Sequence, residues 1–568
     1  MKLSQIQYER PDKDEIIAKY NQILSDFDTA KNADEQIQVY QDCIQMQKHL
    51  NTMASLAYIR FTLDTRDTFY SNECDFYDEM GPIFEDYGIR FADKMLSSPY
   101  REQLEQRLSP LIFLNYEIAK KAFHPNAIEQ MQEDNRLCTE YKKLLSSAKI
   151  AFRGEELNIP QLGKYKESPD RETRRQAYQA QGQWMKEHAQ QFDDIFDKMV
   201  HVRDKMAKNC GYENYVQLGY YRMGRNCYSP QDIAAFRQQV LQVWVPFLQQ
   251  IKAQQAQDLN LDHLKLFDDS IWLQEGNPQP KATVSEMFEN GKRMYHEMSS
   301  DTGEFIDYML QHDLFDVLAR PGKSGGGYCT ELPEYQMPFI FANFNGTYED
   351  VDVLTHEAGH AYASYRAMRS IPLYELTQGG METCEVHSMS MEFFAWKWMP
   401  LFFKKNAEKY KYMHIGNALS FIPYGTMVDY FQQLVYEKPD MTPAERKSLW
   451  LDLEKQFRPY LSNKGITYME EGGRWQCQSH IFERPFYYID YCLAQTVAFE
   501  FLIEMHRDYD KAFSCYQQFL NAGGSKTFTQ LVQDAGFPSV FSEETFSKMI
   551  PQLKQILESL RNNLSSHQ

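Results

Sequence analysis

Residues 356–360 read His-Glu-Ala-Gly-His, an HExxH pattern. On a helix, side chains four residues apart share a face, with Cβ atoms about 5–6 Å apart. His356 and His360 so placed could grip one zinc ion at roughly 2.0–2.1 Å. Glu357 would lie beside a water on that ion and take its proton, which is the chemistry of a hydrolytic metal site. The chain has 14 histidines, and an HExxH arises by accident in about 2–3% of such sequences, so the pattern alone does not decide the matter. A site of this kind needs a third protein ligand, usually His or Glu. The stretch Met381–Glu392 (METCEVHSMSME) offers Glu385, 25 residues beyond His360. Glu385 and Glu392 are seven apart, two helical turns, and share a face. A solvated acidic stripe is the plainer reading. Against it, the neighbours Val386, Met389, Met391, Phe393 and Phe394 are apolar, and carboxylates rarely sit in such surroundings without a partner or a metal. Glu382 and His387 stand next as third ligand; His387 faces elsewhere on the helix and reads as structural rather than site-lining.

A second cluster lies at Gln478-Ser479-His480 and Phe486-Tyr487-Tyr488-Ile489-Asp490-Tyr491. On residue types alone it is an aromatic core helix. The segment Pro321–Gly327 (PGKSGGG) is a flexible Gly-rich loop. A phosphate-binding P-loop needs Gly five residues before Gly322, and Val317 stands there, so that reading fails on spacing. Met337–Gly346 (MPFIFANFNG) is a short aromatic strand ending in a turn, and Pro338 suits an edge strand. Such an edge is either a plain sheet edge or one that takes up an extended peptide by strand addition through Phe341, Asn343 and Gly346, and residue types alone do not choose between them. The other histidines, 49, 124, 188, 201, 263, 296, 312, 414, 506 and 567, show no ligand spacing and read as surface or satisfied core.

These groups need a scaffold, and the composition points to helix. Gly (27) and Pro (23) are scarce for 568 residues. Apolar residues recur at three- and four-residue spacing over Ile16–Phe27 and Asp34–Leu50, the second with Asp34 as N-cap. Turn residues cluster over Arg153–Asp170, a long helical pattern runs from Arg171 to Lys208, and Ser229-Pro230 marks another helix start. Leu259–Thr283 is loop-like. No 34- or 40-residue repeat exists, which disfavours a helical solenoid. The expected division is an N-terminal helical region, 1–155, and a region carrying the HExxH, 156–568.

A net charge of −19 argues against nucleic acid and against an anionic membrane surface as partners. No run of 18 apolar residues spans a membrane. The ten cysteines form no CxxC, and the first residues lack an apolar leader; both predict reduced thiols and a cytoplasmic protein.

The wording GGGYCTELP, PFIFANFNGT, LTHEAGHA, EVHSMSMEFF and SHIFERPFYYIDY, together with Asp170–Arg222 and its RNCYSP continuation, resembles the M3 family of zinc metallopeptidases over roughly residues 160–540. The similarity is greatest to its bacterial oligoendopeptidase F and Pz-peptidase branch. The resemblance implies a mainly α, zincin-like fold: two helical halves around a deep channel, with a small β-sheet beside the zinc-binding helix. It implies His356, His360 and Glu385 as ligands of one zinc per chain and Glu357 as general base. Glu392 would orient a ligand imidazole. His480, Tyr488 and Tyr491 would bind the substrate backbone and the oxyanion, with Tyr488 preferred to Tyr487. Many members carry a His three residues after the second zinc His; here Ala363 stands there. The expected reaction is endopeptidic hydrolysis of short unfolded peptides. The rivals are a zinc dipeptidyl- or carboxypeptidase and, from another class, a non-catalytic helical peptide-binding or scaffold protein.

Overall fold

The computed structural model describes residues 2–566, so His567 lies outside the described residues. The chain opens with three long helices, α1 (Lys13–Thr29), α2 (Ala33–Leu63) and α3 (Thr68–Ser97). Asn32, not Asp34, caps α2: its side-chain oxygen accepts from the Glu35 amide at 2.9 Å. Asp34 falls in the first turn, where a carboxylate favours the helix dipole. One end of this layer has a core of its own, built on Tyr20, Phe27, Tyr40, Phe91 and Phe113. The other end, with Met53, Leu56 and Ile59, merges into the main core.

The pattern from Arg171 to Lys208 folds as two helices, α4 (Arg171–Glu187) and α5 (Ala189–Asn209), interrupted at His188. After α6 (Tyr215–Arg222), Ser229 starts α7 (Pro230–Gln239). Its amide donates to Asp232 at 2.8 Å while its hydroxyl accepts from the Asp232 amide, a reciprocal cap.

The sheet beside the site has three strands, β1 (Phe315–Leu318), β2 (Tyr328–Leu332) and β3 (Met337–Phe344), in the order β1-β3-β2. β3 runs parallel to β1 and antiparallel to β2. The strand expected at the edge is therefore the central one. Pro338 is tolerated there for a local reason. The Ile340 amide donates toward the β1 side, to Leu314, at 3.0 Å. The nitrogen two residues earlier faces the same side, and β1 pairing starts only at Ile340. Pro338 thus lacks a donor where no strand would accept one.

β3 turns directly into α8 (Glu349–Ser370), which carries the HExxH. Gly346 takes the left-handed φ of +85° that the turn requires. Asp350 in the first turn of α8 accepts from the amides of Asn345 (2.9 Å) and Gly346 (2.8 Å), locking the strand-to-helix angle. α9 (Met381–Phe394) carries Glu385 and Glu392 and packs between α8 and α12 (Tyr488–Arg507). α10 (Ala407–Glu437) and the short α11 (Ser479–Glu483) complete the surroundings. α8 and α9 meet at Gly359: a Cβ there would stand 2.7 Å from the His387 carbonyl oxygen and from Ser388 Cα. The glycine within the HExxH is what lets the helix carrying Glu385 come this close to α8. The fold is mainly helical with small sheets, and among the described residues no helix is long and apolar enough to cross a membrane.

Candidate active site

His356, His360 and Glu385 converge. One atom from each lies within 4.8 Å of the others. Both Nε2 atoms stand 3.4 Å from Glu385 Oε2. Donors on a tetrahedral zinc at about 2.05 Å lie about 3.3 Å apart, so the separations fit such an ion. The imidazoles keep 22% and 18% of their side-chain surface and Glu385 keeps 2%, so the group is reached through the imidazoles and not past the carboxylate. Burial alone would raise the Glu385 carboxyl; the two imidazoles overcome it and hold the group well below the usual range. Ser388 Oγ donates to Glu385 Oε2 at 3.0 Å.

Glu392, two turns along α9, backs the same corner. His356 Nδ1 donates to its Oε1 at 2.6 Å, which leaves Nε2 free to ligate. His414, on α10, donates from Nε2 to the other Glu392 oxygen at 2.8 Å. Trp396 Nε1–H points at His414 Nδ1 (3.2 Å), fixing that tautomer. Burial would raise the Glu392 carboxyl, but the hydrogen bonds from His356 and His414 hold it down at about 2. His414, read from sequence as surface or satisfied core, is thus a buried member of the site's support. Its sequence distance from the HExxH hides that.

Glu357 is buried, and its Oε2 has no hydrogen-bond partner among the described residues. Burial raises its carboxyl above the ordinary value, toward a group that can both take and return a proton. Gly327 closes on it: a Cβ at that position would lie 3.4 Å from Glu357 Oε1. The Gly-rich loop, rejected as a phosphate cradle, therefore borders the acid. Asn343 holds that loop, its amide donating to the carbonyls of Ser324 (2.8 Å) and Gly326 (2.9 Å).

The three residues expected to bind peptide along β3 do other things. Phe341 is fully buried, stacked on Tyr328 at 4.8 Å under the Lys323 ammonium. Asn343 fastens the loop, and Gly346 makes the turn into α8. A central strand has both backbone edges occupied. β1 and β2 are the edge strands, and β2 is the one that starts directly after Gly327, beside Glu357.

The aromatic segment needs a second correction. Tyr487, not Tyr488, is the tyrosine that meets Glu385: its hydroxyl donates to Glu385 Oε1. Tyr488 lies behind it in the same cluster, its ring 5.0 Å from that of His480 and 5.5 Å from that of Tyr491, and packed on Phe421 (5.5 Å) and Tyr424 (5.9 Å). Tyr491 OH lies 3.4 Å from His480 Nε2, and its ring stands 4.8 Å from that of Tyr487. Burial first and Glu385 next raise both the Tyr487 and Tyr491 hydroxyls well above their ordinary value, so both are O–H donors at neutral pH. Gln478 donates to His480 Nδ1 at 3.0 Å while its oxygen accepts from Tyr424 OH at 2.9 Å. His480 therefore carries its proton on Nε2, facing Tyr491. Burial pushes it down to about 4, so it is neutral. His387 is buried on another face of α9, its carbonyl bound by Tyr516 OH at 2.7 Å. Glu382 sits one turn before Glu385, beside Tyr228 OH at 3.5 Å. Ala363 is buried and bears no ligating group.

Comparison with known proteins places this geometry. Residues 164–549 match peptidase family M3, and residues 3–123 match the peptidase M3 N-terminal domain. The structure of Pz peptidase A with inhibitor 2 is 43% identical, covering 98% of this chain and 99% of that one, with a TM-score of 0.96. A putative oligoendopeptidase F from Bacillus anthracis str. Ames is 38% identical, covers 98% of each chain and has a TM-score of 0.91. Oligopeptidase PepF of Bacillus subtilis (strain 168) is 20% identical over 92% of this chain and 81% of its own length. With more than half of its length matched and relatives this similar end to end, the chain belongs to peptidase family M3, the metallopeptidases that hydrolyse peptide bonds.

Proposed function

We propose that the protein is a zinc-dependent oligoendopeptidase whose His356, His360 and Glu385 hold one zinc ion per chain. The observation that carries this reading is the pair of 3.4 Å Nε2–Oε2 separations beside the unpaired Glu357 oxygen. Zinc bound there supplies Lewis acidity to water and to a carbonyl. The chain's own residues do the rest. Glu357 takes the proton of the attacking water and returns it to the leaving amine. Tyr491 and His480 donate hydrogen bonds toward the scissile carbonyl and the neighbouring backbone as negative charge develops, and Tyr487 joins them by turning its one O–H from Glu385 to the oxyanion. The outer edge of β2, which starts directly after Gly327 beside Glu357, receives the extended peptide by strand addition. Glu392 and His414 hold the His356 ring.

The substrates in this reading are short unfolded peptides, because a folded domain cannot thread a segment to a largely buried corner. The division into residues 1–155 and 156–568 belongs to the same proposal. The net charge of −19 speaks against nucleic acid and membrane partners, and ten free thiols suit the cytoplasm. The test is a digest of a mixed peptide library with and without a chelator, read by mass spectrometry, beside elemental analysis. Internal cleavage lost on chelation, with about one zinc per chain, is expected. Release of only C-terminal residues or dipeptides would make the protein a carboxypeptidase or dipeptidyl peptidase. No zinc and no cleavage would overturn the proposed site.

A further inference from the structure

Behind the tyrosines sits a cation that touches none of the reacting groups. Arg225, in the turn between α6 and α7, keeps 1% of its side-chain surface. Its Nη2 donates to the carbonyl of Phe486 and, at 2.8 Å, to Asp490 Oδ1. The guanidinium is flanked by the rings of Tyr220 (4.2 Å) and Tyr228 (5.4 Å). Tyr228 OH braces the same Asp490 oxygen at 2.9 Å. From the other side, the Phe486 amide donates to Gln432 Oε1 at 3.1 Å. Side chains from two distant parts of the chain thus bind both polar backbone groups of Phe486.

Phe486 needs that hold. Its φ is +68°, the left-handed region, in a bulky residue with no turn glycine beside it. Such a conformation costs on the order of 1–3 kcal/mol and persists only where its surroundings over-determine it. Its ring fills the space over Gly219, where a Cβ would come within 2.6 Å. The location matters because Phe486 joins α11, which carries His480, to Tyr487 and α12, which carries Tyr491. A change in this one dihedral re-aims both hydroxyls relative to Glu385 and to His480.

We propose that Arg225 is a positioning residue for peptide-bond hydrolysis: by clamping the left-handed Phe486 peptide and Asp490, it sets Tyr487 and Tyr491 in place. The inference rests on the reading of those tyrosines given above. Arg225→Lys keeps a buried cation but loses the rigid guanidinium plane, held between Tyr220 and Tyr228, that places one nitrogen, Nη2, on both the Phe486 carbonyl and Asp490. Misplacement of a reacting-site group by about 1 Å costs about 100-fold, so the expected result is a kcat lower by at least about 30-fold, with KM within about threefold and zinc content unchanged. A merely structural Arg225 would lower the melting temperature and leave kcat per folded, zinc-loaded chain at the parental value. That outcome overturns the proposal. Should Arg225→Lys not accumulate folded, Tyr228→Phe decides. It removes only the hydroxyl bracing Asp490, and a kcat lower by about 2–12-fold at constant KM upholds the role, while parental kcat overturns it. Tyr487→Phe, measured beside them, tests the underlying reading separately. Parental kcat there removes Tyr487 from the oxyanion site, but the Arg225→Lys result still decides whether Arg225 positions the segment.

Discussion

The His356–His360–Glu385 corner and the tyrosine wall meet where Tyr487 donates to Glu385, yet they are built on different terms. At the corner, four side chains come from two regular helices. The i, i+4 spacing of His356 and His360 and the seven-residue spacing of Glu385 and Glu392 set every separation, and Gly359 sets how close the helices lie. The wall is held by irregular backbone: a five-residue helix, a left-handed Phe486 and the start of α12, clamped by Arg225 and Gln432 from outside. Helical periodicity positions the groups that must always be in place. Long-range hydrogen bonds position the groups that, in the proposed function, act only as charge develops. The corner should therefore tolerate loss of outer contacts better than the wall tolerates loss of its clamp.

The largest effects test the corner. Glu357→Gln is nearly isosteric but cannot take the proton. General-base removal typically costs about 10²–10⁴-fold, so kcat should fall at least about 100-fold with zinc retained. Steady-state kinetics on a quenched fluorescent peptide checks it, and activity within about threefold of the parent would remove Glu357 from the role. Glu385→Ala leaves two protein ligands, and equilibrium dialysis against a zinc buffer should show a loss beyond the about 10–100-fold typical of an outer partner.

At the wall, the neighbours Tyr487 and Tyr488 make a matched pair. Tyr487→Phe removes the hydroxyl that meets Glu385. A lost oxyanion donor typically costs about 10²–10³-fold in kcat, with KM moving much less. Tyr488→Phe, whose ring packs on Phe421 and Tyr424, should stay within about threefold, because the ring and its packing remain. Reversal of the two results would break the comparison, since it would mean that the wall follows a simple helical count from His480.

That count shows where the sequence ceases to be legible. The corner could be read because fixed helical spacing converts residue numbers directly into positions. Tyr487 could not be chosen over Tyr488, because the left-handed Phe486 sits between them and His480 and breaks the period. The β3 strand was recognisable as a strand, but its central place depends on β1, whose pairing no local pattern announces. The same limit hid His414 from Glu392 and Arg225 from Phe486, the latter pair 261 residues apart.

Glu392→Ala should cost about 10–100-fold in zinc affinity or activity, since the His356 ring loses the carboxylate that orients it but keeps its place on α8. A loss as large as that of Glu385→Ala would mean that the corner depends on its outer contacts as strongly as the wall depends on its clamp.

The smallest effect is expected at Gln478, and it separates orientation from charge at the wall. Gln478→Leu removes the donor to His480 Nδ1 and leaves the ring. One hydrogen bond is worth about 0.5–1.5 kcal/mol, or about 2–12-fold, and kcat and KM should share the loss because His480 meets the peptide backbone in both ground and transition states. Gln478→Glu should act differently. A carboxylate accepts from Nδ1–H, so it favours the opposite neutral tautomer and stabilises the imidazolium. The His480 pKa would rise from about 4, where the ring is neutral across the working range, toward neutrality. As pH falls through the raised value the ring gains a proton, so kcat/KM of the Glu variant should show a bend near neutral pH that the parent and the Leu variant lack. Identical pH–rate profiles for all three would mean that Gln478 does not set the His480 proton, leaving Tyr491 and Tyr487 to hold the oxyanion side without it.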